Sequence, residues 1–157
     1  MNRLIAIDPG KAGLGWASFV GDRLSSVGLL VCKSLTETTE VLTRMMGRAC
    51  PPPSTVVIEV PQVYQQRLQK GDPNDLIDVA VIAGIAAGVA AQFVEPQPVR
   101  PHAWKGNRPK AIDNAYTLSL LSEEEKLVLD GCGAPKSKLH NVIDAIGIGL
   151  WKLGRRK

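Results

Sequence analysis

The chain has 157 residues, 45% hydrophobic and 22% charged, with a formal net charge of +4 and only 4% aromatic residues. That length fits one domain spanning residues 1–157, with a core of Val, Ile, Leu and Ala, and the mild excess of base admits a polyanionic partner without requiring one. Three widely spaced cysteines (Cys32, Cys50, Cys132) form no CxxC pair, which argues against a disulfide framework or cysteine zinc site and for a reducing cytosol.

In chain order, Arg3–Asp8 predicts a short buried strand cut off by Pro9-Gly10, too short to be the apolar core of a secretion signal. Residues 13–20 and 23–31 flank Gly21-Asp22, a connection suited to a hairpin. Val41, Leu42, Met45 and Met46 give residues 36–48 the spacing of an amphipathic helix, which Pro51, Pro52 and Pro53 then exclude from continuing. The β-branched run 54–60 reads as a buried strand, and residues 61–73 as a polar loop.

Asn74 or Asp75 is placed to cap a helix reaching about residue 92. Its apolar stretch, residues 79–91, is shorter than the roughly 20 residues of a bilayer span, so a buried helix and no membrane partner are expected. Ala80, Gly84 and Gly88 give that helix a smooth face for packing on the sheet or on a second subunit. A short strand over 93–99, a basic loop, helices over 109–121 and 122–129, and a last helix over 138–153 complete the order, with Ser122 and Glu125 spaced as a capping box. The tail Arg155-Arg156-Lys157 follows. An antiparallel meander leading into helix-crossed strands predicts an α/β fold: a mixed five-stranded sheet with helices on both faces and its ligand site at the strand ends.

Three acids stand out against apolar surroundings: Asp8 at the end of the first strand, Glu59 inside Val56-Val57-Ile58-Glu59-Val60, and Asp144 in the last helix. Each has a plain structural account. Asp-Pro-Gly is good turn chemistry, alternation can turn Glu59 to solvent, and one helical Asp can cap a neighbour. Their order on two neighbouring strands and a packed helix lets them converge, however, and three converging carboxylates call for hard divalent cations such as Mg²⁺ or Mn²⁺. Two such ions about 4 Å apart serve phosphodiester hydrolysis. His140 and Asn141 share the helix face of Asp144.

The segments Ile5-Ala6-Ile7-Asp8-Pro9-Gly10, Val57-Ile58-Glu59-Val60 with Tyr64 beyond it, and His140-Asn141-Val142-Ile143-Asp144-Ala145 resemble the RuvC family of Holliday-junction resolvases. Trp104-Lys105-Gly106 with Pro109-Lys110 is similar to phage-encoded members. The resemblance implies a ribonuclease-H-like (RuvC-like) fold and a homodimer that nicks opposite strands of a four-way DNA junction using Mg²⁺ or Mn²⁺. It also implies the cytoplasm of a bacterial host as the place of action, if the chain is phage-encoded. It further implies a fourth metal ligand, an Asp or His three residues before the final Asp, where this chain has Asn141. Either His140 takes over, or Asn141 coordinates through its carbonyl oxygen, or an acid has been replaced and the protein binds junctions without cutting them.

For DNA, the expected contacts are Tyr64, Gln65, Arg67 and Lys70 in the loop after Glu59, and Trp104, Lys105, Arg108 and Lys110 in the basic segment. Cations there can neutralise phosphates without reading sequence, and Tyr64 can stack on an unpaired base. Trp104 can stack on the substrate or anchor its loop to the core. A nuclease of related fold processing structured RNA is the alternative within the class. An actin-like ATPase, which also opens on Ile-Asp-x-Gly, would need a second such domain and a second phosphate-binding turn that the sequence lacks.

Overall fold

The computed structural model describes residues 2–63 and 72–157. Strand β1 (Arg3–Asp8) is buried on both faces, Leu4 and Ala6 on one side and Ile5 and Ile7 on the other. Such a strand belongs in the middle of a sheet. There it lies, antiparallel to β2 (Leu14–Val20) and parallel to β4 (Pro53–Glu59). With β3 (Arg23–Leu30) and β5 (Pro96–Val99) the order is β3-β2-β1-β4-β5, the mixed five-stranded sheet that the sequence predicts. The β2–β3 hairpin turns on Gly21, whose φ of 64° lies in the left-handed region that glycine enters without strain.

Strand alternation sorts the core into two layers. Ile5, Ile7, Val56 and Ile58 meet Leu42 and Met46 of α1 (Leu35–Gly47) and Ala83, Ala86, Val89 and Ala90 of α2 (Pro73–Ala90). Leu4, Ala6, Ala17, Phe19 and Val57 face α6 (Leu139–Lys152), the most deeply buried helix, with α4 (Lys110–Ser119) and α5 (Glu123–Asp130) around it. Helix α6 presses so close that a Cβ on Gly149 would stand 2.1 Å from the Phe19 ring, and one on Gly15 2.1 Å from the Asn141 carbonyl oxygen. Shortening a fully buried side chain here, such as Ile146, is expected to cost about 2–5 kcal/mol.

Three local expectations are corrected. The cap of α2 is Asp72, whose carboxylate accepts from Asn74 N at 2.9 Å, with Pro73 preset at the first helical position. The small-residue stripe Ala80, Gly84 and Gly88 does not pack on the sheet; it lies exposed beside Ile77 and Val81. Both faces of α2 are apolar, so periodicity could not tell which one the sheet takes. Only 22% of that helix is buried, and it is long and apolar enough to cross a bilayer by length and composition. A short helix α3 (Pro101–Lys105) occupies the expected basic loop.

The basic tail that follows α6 is packed into the protein. Arg155 grips Glu125 with two parallel bonds of 2.6 and 2.7 Å, and the same carboxylate accepts from Leu24 N and Ser122 N. Arg156, 2% exposed, pairs with buried Asp113, donates to Thr117 Oγ1 and Trp104 O, and lies between the rings of Trp104 and Tyr116. Its charge is spent inside the protein.

Candidate metal centre and nucleic-acid interface

Parity places the acids. Asp8 follows Leu4 and Ala6 on the α6 side of β1, and Glu59 follows Val57 on the same side of β4. Ile7 pairs with Ile58, so the next residue on each strand brings the two acids side by side at the carboxyl ends of parallel neighbours. Helix α6 lies over this edge, and Asp144 sits within its buried run from Val142 to Leu150. Alternation therefore turns Glu59 inward, and all three acids meet on one side of the sheet.

Burial and proximity act together on them. Asp8 and Asp144 are each 7% exposed. Burial first, then the charges of Glu59 and Asp144, holds the Asp8 carboxyl well above its ordinary value. Burial also raises Glu59, against the pull of Lys105 and of a hydrogen bond from the Trp104 indole N–H at 2.5 Å. Asp144 is raised by burial as well, opposed by Lys105 and Lys110. Lys105 Nζ stands 3.9 Å from Glu59 Oε2, and Lys110 Nζ 3.8 Å from Asp144 Oδ2. Burial pulls the Lys105 ammonium down, but the surrounding carboxylates more than offset it. Three carboxylates against two ammoniums leave an excess of negative charge in a region shielded from water.

Among the described residues, no three His, Cys, Asp or Glu side chains stand close enough to enclose an ion as they are turned. Glu59 and Asp144 lean on lysines instead. The donor set itself, three hard carboxylates that resist ionising together, fits Mg²⁺ or Mn²⁺. His140 lies partly buried on α6 one position before Asn141, with its imidazole pushed below the usual value by burial and by Lys110. Asn141 Nδ2 donates to Gly13 O at 3.0 Å.

The expected nucleic-acid contacts divide. Lys105 and Lys110 reach the acid cluster. Arg108 turns from it, over the Tyr116 ring and onto Lys157 O at 3.0 Å. Trp104 is corrected as a stacking platform for substrate: at 2% exposure it is a core residue, its indole occupied by Glu59 and its ring by Arg156. Tyr64, Gln65, Arg67 and Lys70 lie outside the described residues. Sequence reasoning missed the Trp104–Glu59 bond and the Lys110–Asp144 pair. The Trp104-Lys105 dipeptide shows no local sign of a partner 45 residues upstream.

No family model matches the chain, and no curated protein matches it by sequence. Its fold matches solved structures along nearly its whole length. Thermus thermophilus RuvC in complex with a Holliday junction substrate superposes with a TM-score of 0.69 at 18% identity, covering 100% of this chain and 99% of that one. The yeast mitochondrial Holliday junction resolvase gives 0.64 at 9% identity, with 98% and 78% covered. The fowlpox virus resolvase, solved with substrate Holliday junction DNA, gives 0.56 at 16% identity, with 96% and 98% covered. The architecture is that of RuvC and other Holliday junction resolvases.

Proposed function

We propose that this chain is a Mg²⁺- or Mn²⁺-dependent endonuclease that resolves four-way DNA junctions. The observation behind this reading is the meeting of Asp8, Glu59 and Asp144 at one sheet edge, with all three carboxyls resisting ionisation, in a fold shared over its full length with resolvases. Asp8, Glu59 and Asp144 would hold the metal ions. Bound there, a pair of divalent ions supplies an activated water and stabilises the leaving oxygen of a phosphodiester.

The remaining work falls to the chain's own side chains. Lys105 and Lys110, which lean on Glu59 and Asp144, stand where they would meet the phosphates of a strand brought to these acids. Trp104 N–H holds one oxygen of Glu59 and leaves the other to the site. A homodimer accounts for paired nicks on opposite strands, because two-fold symmetry in the protein matches that of the junction. The exposed apolar face of α2, with Ile77 62% and Val81 44% exposed beside Gly84 and Gly88, suits a second copy. In that case Ile77→Glu gives a monomer by sedimentation.

The deciding experiment is cleavage of an end-labelled four-way junction with and without Mg²⁺ or Mn²⁺, beside a linear duplex and a structured RNA. Metal-dependent, symmetric nicks on the junction alone support the reading. Faster cutting of the RNA moves the assignment to an RNA-processing nuclease. Tight junction binding without any cleavage leaves a binding protein.

A further inference from the structure

Asn141 stands three residues before Asp144, where the RuvC resemblance implies a metal-binding acid or imidazole. Its surroundings give it other work. The side-chain amide nitrogen donates to Gly13 O at 3.0 Å. A carbonyl oxygen only accepts, so the neighbour fixes which end of the amide faces it. A carboxylate at this position would set its own lone pairs against that oxygen.

Gly13 closes the turn that follows Asp8, its N–H donating to Gly10 O at 3.2 Å. The turn is tight, since a Cβ on Gly10 would stand 2.5 Å from Gly13 O and 3.1 Å from Asn141 Nδ2. Two lysines hold the same turn from either side. Lys138 Nζ donates to Ala12 O at 2.7 Å, and Lys11 reaches Asp75 and Asp78 of α2 at 2.7 and 3.1 Å. Those lysine contacts are exposed and weak, whereas Asn141 is half-buried and its backbone sits directly on Gly15. Lys138, the N-cap of α6, also ties the turn to the helix that bears Asp144, but through an exposed contact; Asn141 is the half-buried tie between them.

We propose that Asn141 is a positioning residue: its amide N–H on Gly13 O clamps the Asp8 turn to α6 and so fixes Asp8 relative to Asp144. It is then neither a weakened metal ligand nor the trace of a lost acid. The metal-related part of this proposal rests on the nuclease reading above, while the clamp itself does not. Its direct consequence is that the isosteric change Asn141→Asp, which a lost-ligand account expects to restore a site, damages it.

The test compares wild type, Asn141→Asp and Asn141→Ala by calorimetric titration with Mn²⁺ alone and by hydrogen exchange at the Gly13 amide without metal, well below each variant's Tm. A clamp predicts that both variants bind Mn²⁺ weaker by about tenfold, Asn141→Asp no better than Asn141→Ala, and that Gly13 exchanges faster in both. Tighter Mn²⁺ binding by Asn141→Asp than by wild type overturns the proposal. If that variant does not fold, Asn141→Ala decides: unchanged Gly13 exchange and Mn²⁺ affinity also overturn it. If wild type binds no Mn²⁺, the nuclease reading fails, and the exchange measurement still judges the clamp.

Discussion

Helix α6 has a buried charged cluster near each end, built from similar residue types and in opposite electrical states. Beyond its C-terminus, Glu125 accepts four hydrogen bonds, two from Arg155 and one each from Leu24 N and Ser122 N. Arg155 chiefly, against a burial penalty, holds that carboxyl down to about 2. Toward the N-terminus, Asp8, Glu59 and Asp144 share one buried region in which lysines approach only to 3.8–3.9 Å, and all three carboxyls are pushed up. A buried charge that finds its partners inside the chain is structural. A cluster whose partners fall short keeps an uncompensated charge, which is what the proposed metal centre requires.

Removing charge should therefore act in opposite directions at the two ends. The largest effect is expected from Asp8→Asn, Glu59→Gln or Asp144→Asn. Each should lower junction cleavage by more than the roughly 10–100-fold that losing an outer-shell partner costs, with junction binding kept in a mobility-shift assay. Asp8→Asn should also raise Tm at pH 7.5. Its folded pKa lies above the ordinary 3.8, so the charged form opposes folding as pH rises through that range, and below about pH 4 the gain disappears. Equal melting of Asp8→Asn and wild type at pH 7.5 would break the contrast.

At the other end, Glu125→Gln should destabilise by about 3 kcal/mol in urea melts, because it leaves the partly buried Arg155 guanidinium without its charge partner. Here the folded pKa is depressed to about 2 from 4.5. The pair's contribution is thus present above pH 4.5 and is lost as pH falls toward 2, the reverse of Asp8. Smaller is Trp104→Phe, which keeps the ring against Arg156 but removes the N–H on Glu59. Losing a hydrogen bond to a charged group is worth about 1.5–3 kcal/mol, read as weaker Mn²⁺ binding, and the smaller ring in a buried position also lowers Tm. Smallest is Lys110→Ala, expected to reduce the salt slope of junction binding by about one; an unchanged slope would remove Lys110 from the footprint.

The same division explains what the sequence could tell. Two-faced strands and capped helices leave local patterns, so the element order and the Ser122–Glu125 capping box were legible. The acids were legible as a trio because each interrupts an apolar run, and Glu59's inward face follows once Ile7 and Ile58 are in register. Partners far apart in sequence left no such trace. Glu125 gives no hint of Arg155, Trp104 none of Glu59, and Arg155-Arg156-Lys157 reads only as a basic tail until Asp113 and Glu125 are seen. Helix α3 has five residues, too few for a period to show.

Strand β5 reads Pro-Gln-Pro-Val and forms one edge of the sheet. Val99 O accepts from Val60 N, so alternation turns Gln97 and Val99 toward β4 and the backbone of Pro96 and Pro98 outward. Proline has no N–H, and the outer margin of β5 therefore offers no donor at either outward position. A foreign strand cannot be stitched on there, which protects the chain from ribbon-like aggregation. Two copies cannot merge into one continuous sheet through this margin either. Any pairing of copies on that side would have to be made by side chains rather than by a ladder of backbone hydrogen bonds.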